Sequence, residues 1–248
     1  MNTATLYIVF HSSLHEKQYE GNEHEFIFAK VGDLPLSVSS EKIKSRVIEA
    51  SSLSGFKPLG KHWAESEFIF ALHRTAESIS TNWVGFLQYD NTVVSKGGDR
   101  ITDVLSASLP TMSRDSVISF APVDTKYEMD VNHIAMDFTD PRKIRGDPRC
   151  YFPMIADYNK FYGTKHSYQD LLRHPKLALC SAFVMQREKF GEMMRFSEWV
   201  VAKNDLDHFD PERKHRMAGG YMERYYAVWI ALSGSTLHTL QIGELDRV

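Results

Sequence analysis

WVGFLQYDNT, residues 83–92, is the stretch on which the reading of this chain turns. From Trp83 to Leu87 it is apolar and aromatic around one glycine; Gln88, Tyr89, Asp90 and Asn91 follow at once. A short apolar run without polar alternation is the pattern of a strand buried on both faces, as strands in parallel sheets are. Open α/β sheets bind their ligands outside the carboxyl ends of the strands. Gln88, Tyr89 and Asp90 therefore stand where a ligand would sit, although a polar turn is also an ordinary way to end a strand.

Upstream, LYIVF (6–10) reads as a second buried strand that ends at His11-Ser12-Ser13, and FIFAKV (26–31) as a third. Ser39 or Ser40 can cap a helix over EKIKSRVIEA, with Ile43, Val47 and Ile48 on one face. Residues 51–60 form a loop rich in Ser, Gly and Pro, and AESEFIFALHRTAESI (64–79) has helical spacing until Thr81 or Asn82 stops it.

Downstream, a helix is expected over 99–109 and a buried strand over 116–122. Residues 123–176 have no clear period and are punctuated by Pro141, Gly146, Pro148 and Pro153; loops and a short helix or two, such as SYQDLLRH, are expected. ALCSAFVMQ (178–186) reads as one strand, REKFGEMMRFSEWVVAKND as an amphipathic helix, and AGGYMERYYAVWIALSG as a helix closed by Gly234. The tail STLHTLQIGEL alternates as an edge strand does. Strands alternating with helices predict a parallel α/β sheet, with the ends at His11-Ser12 and Gln88–Asn91 in one crevice.

The 248 residues suit one large domain or two small ones. A net charge of −3 and no run of Lys and Arg argue against a nucleic-acid partner. Cys150 and Cys180 are too few for a disulfide framework or a zinc set, and read as reduced thiols. No segment has the apolar length of a signal peptide or a transmembrane span, so the expectation is a cytoplasmic protein. GxGxxG, GxxxxGK[ST], GxSxG and HExxH are all missing, which argues against nicotinamide, P-loop, α/β-hydrolase and zincin chemistry. SKGGDR (95–100) could meet a phosphate, but as an isolated signal it reads as a surface turn.

Two carboxylates then draw notice. In transfer from a phosphorylated donor, the leaving diphosphate must have its charge neutralised by a cation, and the attacking hydroxyl often needs a carboxylate base. Asp90, just past a strand, suits the first role. Glu223, after Gly219-Gly220 at the start of a helix, suits the second, and the glycines would let a substrate approach the backbone. An acidic residue early in a helix is also ordinary helix chemistry, so spacing leaves both readings open.

Several segments together resemble one family. ESEFIFALH with its Glu67, WVGFLQYD, CSAFVMQREKF, and GGYMERYYAVWI with its consecutive Glu and Arg look like the glycosyltransferase-like proteins of bacterial capsular and exopolysaccharide clusters, long catalogued as a domain of unknown function. The likeness spans roughly residues 5–232, apart from 123–176. It implies a GT-A-like α/β fold with a mixed, mostly parallel central sheet flanked by helices. Residues 1–122 would form the nucleotide-sugar-binding half of one glycosyltransferase domain, and 123–248 the acceptor-binding half. The implied activity moves a sugar from a UDP- or GDP-sugar to a hydroxyl of a glycan acceptor. The alternatives are a nucleotide-sugar hydrolase or a non-catalytic carbohydrate-binding protein on the same fold.

The resemblance also assigns residues. His11 and Ser12 would border the nucleotide, with Gln88 and Tyr89 beside them. Asp90 would bind a divalent cation (Mn2+ or Mg2+), the ribose or the sugar. His238 is the candidate to complete the metal site. Glu223 would be the base of an inverting reaction, Arg224 would steady the diphosphate, and Glu67 would orient a neighbour by hydrogen bonding. The chain departs from the family after Tyr89, where Asp90 replaces the usual Arg; QYD then looks like a metal-binding DxD with Gln88 for its first Asp.

Overall fold

The architecture is that of a computed structural model that describes residues 4–59, 63, 65–75, 79–128, 151–203 and 217–245. Strand β1 (Ala4–Phe10) lies inside a seven-stranded sheet. β2 (Phe26–Lys30) pairs with one edge of β1 and β4 (Trp83–Gln88) with the other, both parallel to it. β3 (Val47–Glu49) continues the parallel set beyond β2. Beyond β4 the direction reverses at β9 (Phe183–Gln186), which is antiparallel both to β4 and to β6 (Ser116–Ser119). β10 (Thr236–Thr239) closes that side, parallel to β6. The sheet is thus mixed and mostly parallel, and β10 is the edge strand that the alternating tail foretold.

Both faces of the sheet are covered. On one, Tyr7, Val84 and Phe86 pack against α2 (Ser66–Arg74), α6 (Arg187–Ala202) and α7 (Met217–Leu232). On the other, Leu6, Ile8, Trp83 and Leu87 meet Ile43 of the short α1 (Glu41–Lys44), Ile101 and Leu105 of α3 (Ile101–Ser108), and Tyr19. Trp83 is a core residue, 1% exposed. Burying such side chains contributes about 1.5–3 kcal/mol each. Two small antiparallel pairs flank the sheet: β5 (Asn91–Ser95) with β11 (Ile242–Glu244), and β7 (Pro122–Asp124) with β8 (Lys176–Ala178). Among the described residues no helix is long and apolar enough to cross a membrane.

Three sequence expectations are corrected. The helix over 41–50 stops at Lys44, capped by Ser40, and Val47 and Ile48 instead extend the sheet as β3. Their β-branched side chains fit either period, and pairing with Phe28 and Ala29 decides. The strand over 178–186 is two strands, because Cys180 (φ 62°) and Ser181 (φ 47°) both take the left-handed conformation and break the extension. Within the irregular middle lies a well-formed helix, α4 (Tyr151–Tyr162), followed by the expected short α5 (Tyr168–Leu172). Pro153 had read as punctuation; it sits in the first turn of α4, where no intrahelical N–H is required. SKGGDR is a turn, with Gly98 at φ 92° and Arg100 ion-paired to Glu25. Cys150 and the polar stretch around 207–216 lie outside the described residues.

Gly85 lets β4 pass between its neighbours. A Cβ there would lie 2.5 Å from Val184 Cγ2 and 2.7 Å from Leu6 Cδ2, both in the core. Gly85→Ala should therefore overpack the sheet and lower stability by about 1–3 kcal/mol. A urea melt checks this, and an unchanged midpoint would refute the close packing.

Candidate active site

β1 and β4 end together. Val9 is opposite Gln88, and Tyr89 N–H donates to the Val9 carbonyl at 3.0 Å. The residues beyond each strand are consequently neighbours: the His11 and Tyr89 rings meet edge to face, 6.4 Å between centroids. The two strand ends lie side by side.

Gln88 continues the face of Val84 and Phe86, toward α2 and α7. Its side-chain Nε2 lies 2.8 Å from the Cys180 carbonyl, 3.1 Å from Glu65 Oε1 and 3.4 Å from Glu223 Oε1. Glu65 is the N-cap residue of α2, and Glu223 belongs to α7. Cys180 opens the left-handed turn before β9, a conformation that costs non-glycine residues free energy and persists where its surroundings demand it. Three elements thus converge on the amide nitrogen that β4 presents. The pair of carboxylates is felt next door: burial first, then Glu65, Glu223 and Glu198, push the Tyr226 phenol far above its ordinary value, against a hydrogen bond with Ser66.

Asp90 faces a different neighbourhood. Burial, and then the Asp90 charge, raise the Tyr19 phenol, opposed by a hydrogen bond from Gln18. The Asp90 carbonyl accepts from Leu245 N–H at 2.6 Å. Gln88 N–H donates to Asn91 Oδ1 at 2.9 Å, which closes the turn.

The other singled-out residues fall as follows. Ser12 Oγ donates to the Pro35 carbonyl at 2.7 Å, and its own carbonyl accepts from Ser37 N–H, so it ties down the loop after β2. Glu67 accepts from Leu59 N–H at 3.2 Å. It holds the preceding loop, and the carboxylate of α2 that reaches the strand end is Glu65, two residues earlier. Gly219 and Gly220 lie inside the first turn of α7, so Glu223 is in the second turn and not at the helix start.

Arg224 is engaged in a buried ion pair with Glu128, 3.1 Å apart, and donates to the Gly220 carbonyl; Tyr151 OH also donates to Glu128. His238 lies on β10, 3.2 Å from Ser116 Oγ at the start of β6, which points its ring away from the strand ends where Asp90 sits. Among the described residues no group of three or more His, Cys, Asp or Glu side chains is placed to hold a metal ion. Sequence reasoning missed Glu65 and the Cys180 carbonyl. It also missed Lys30, a buried cation opposite Phe10 whose Nζ reaches the Gly32 carbonyl and Glu49; a Lys within FIFAKV was the available signal.

No family model matches this chain, and no curated protein matches it. Solved structures do. WbbM, a bifunctional glycosyltransferase, superimposes with a TM-score of 0.64 at 13% identity over 99% of this chain and 46% of that one. The chain thus spans about half the length of WbbM. Glucosyl-3-phosphoglycerate synthase from Mycobacterium tuberculosis, in complex with Mn2+, UDP and phosphoglyceric acid, gives a TM-score of 0.48 at 11% identity, over 100% of this chain and 72% of that one. The fold is α/β of the GT-A-like class, with a mixed, mostly parallel sheet flanked by helices.

The Glu128–Arg224 pair makes a prediction that separates a structural from a diphosphate-binding Arg224. Removing one partner of a buried pair leaves an uncompensated charge and costs about 3–5 kcal/mol. Glu128→Ala should destabilise the ligand-free protein by that amount, and the double variant with Arg224→Ala by less than the sum of the two single changes. Additive losses in a thermal-melt double-mutant cycle would show that the two side chains do not interact.

Proposed function

We propose that this chain is a glycosyltransferase that moves a sugar from a UDP- or GDP-sugar to a hydroxyl of a glycan acceptor, in the cytoplasmic synthesis of a capsular or exopolysaccharide-type glycan. The observation that carries the reading is the meeting of Glu65, Glu223 and the Cys180 carbonyl on Gln88 at the carboxyl end of β4, within a GT-A-like sheet. The first half, 1–122, supplies Glu65, Gln88 and Asp90; the second, 123–248, supplies Cys180 and Glu223. A cleft between a donor half and an acceptor half would have this composition.

In this reading His11 and Ser12 border the nucleotide and Tyr89 stacks beside them. Asp90 takes the donor side. The absence of a three-residue metal set among the described residues fits a Mg2+ or Mn2+ ion held by one carboxylate and the donor's own phosphate oxygens. Such an ion would neutralise charge on the departing diphosphate. Glu223 accepts the proton of the attacking acceptor hydroxyl in an inverting transfer, and Glu65 holds a sugar hydroxyl. Arg224 keeps α7 in place through Glu128. His238 takes no part.

Isothermal titration with UDP- and GDP-sugars, with and without Mn2+, tests donor binding; no heat with any nucleotide sinks the transferase reading. Turnover of a bound donor with water alone, across a panel of acceptors, favours the hydrolase instead. Glu223→Gln should lower kcat by about 100- to 10,000-fold, the usual range for loss of a general base. Asp90→Asn should weaken donor binding and its response to Mn2+ while the circular dichroism spectrum stays unchanged. Full activity in Glu223→Gln would remove the base assignment.

A further inference from the structure

The side-chain amide of Gln88 has two N–H groups and three acceptors within 3.4 Å: the Cys180 carbonyl, Glu65 and Glu223. Cys180 is the nearest and takes one hydrogen. The second must serve both carboxylates. Each carboxylate comes from a different helix, and nothing in the chain's connectivity would bring them together. Two like charges this close repel unless a donor sits between them. The backbone of Gln88 is itself held, by Asn91 Oδ1 on its N–H and by its place in the β1–β4 ladder. The amide therefore projects from a fixed point.

We propose that Gln88 is a positioning residue: it clamps the Glu65 and Glu223 carboxylates at the end of β4 and so fixes the Glu223 oxygens for the acceptor hydroxyl. The role of the clamp in transfer rests on the function proposed above; the clamp itself does not. Gln88 touches no reacting atom. It acts by denying Glu223 the freedom to swing away from Glu65, and it anchors both to the strained Cys180-Ser181 turn through the Cys180 carbonyl. Glu65 becomes the second carboxylate of the site.

The test has a kinetic arm and a spectroscopic one. Gln88→Leu should lower kcat by about 100-fold, the scale expected when a catalytic group is displaced by an ångström, with the donor KM unchanged. Gln88→Glu, which keeps the length but replaces the donor by a third carboxylate, should not rescue it. Gln88→Met repeats the experiment if the leucine variant melts early. A wild-type kcat in these variants, or a loss confined to donor KM, overturns the proposal. In 15N-labelled protein the Gln88 side-chain amide resonances should shift on either Glu65→Gln or Glu223→Gln, whether or not sugar is transferred. Resonances indifferent to both changes overturn the clamp. A wild type inert toward every donor, with resonances that respond to both changes, retires the transferase reading and supports the clamp.

Discussion

The hydrogen bond from Tyr89 N–H to the Val9 carbonyl is the last rung between β1 and β4, and it determines where β4 stops. Side chains alternate along a strand, so a slip of one residue would exchange Leu87 and Gln88 between the two faces of the sheet. Leu87 would then point at Glu65 and Glu223, and Gln88 into the core around Trp83 and Ile101. Gly85 makes the correct register possible, because any side chain there would collide with Leu6 and Val184 from the flanking strands. The chemistry at the strand end is a consequence of this alignment.

The second half of the chain reaches that point by reversing direction. β9 runs antiparallel to β4, and the turn before it holds Cys180 and Ser181 in a conformation that L-residues avoid. The return is a carbonyl aimed at Gln88. α7 is held independently, by Arg224 on Glu128 and by Tyr225 OH on Asp157, which also pairs with Lys203 of the turn after α6. Buried ion pairs contribute little net stability against apolar replacements. What they supply here is a fixed rotation of α7, and that rotation presents Glu223 to the strand end.

The turn Gln88-Tyr89-Asp90 follows directly on β4. Gln88 serves the face of α2 and α7, where two carboxylates gather beside the buried Tyr226. The Asp90 carbonyl accepts from Leu245 N–H, and its charge adds to the burial that raises the Tyr19 phenol. A single tripeptide thus carries both an amide fixed among two carboxylates and a carboxylate of its own.

From sequence alone, the class of fold was legible. Unbroken apolar runs at 6–10 and 83–87 require burial on both faces, and only a sheet between helix layers supplies it. Asp90 and Glu223 were legible as candidates, since a carboxylate after a buried strand or early in a helix leaves a local signal. Glu65 was not: ESE offers two carboxylates, and choosing between Glu65 and Glu67 depends on the angle at which α2 meets the sheet. The surroundings of Arg224 depend on Glu128, and those of His238 on the pairing of β10 with β6, neither of which is near in sequence. Local pattern determines which residues are buried and which end a strand. Only long-range packing decides which polar side chains share an acceptor, because hydrogen bonds between distant segments leave no period in the chain.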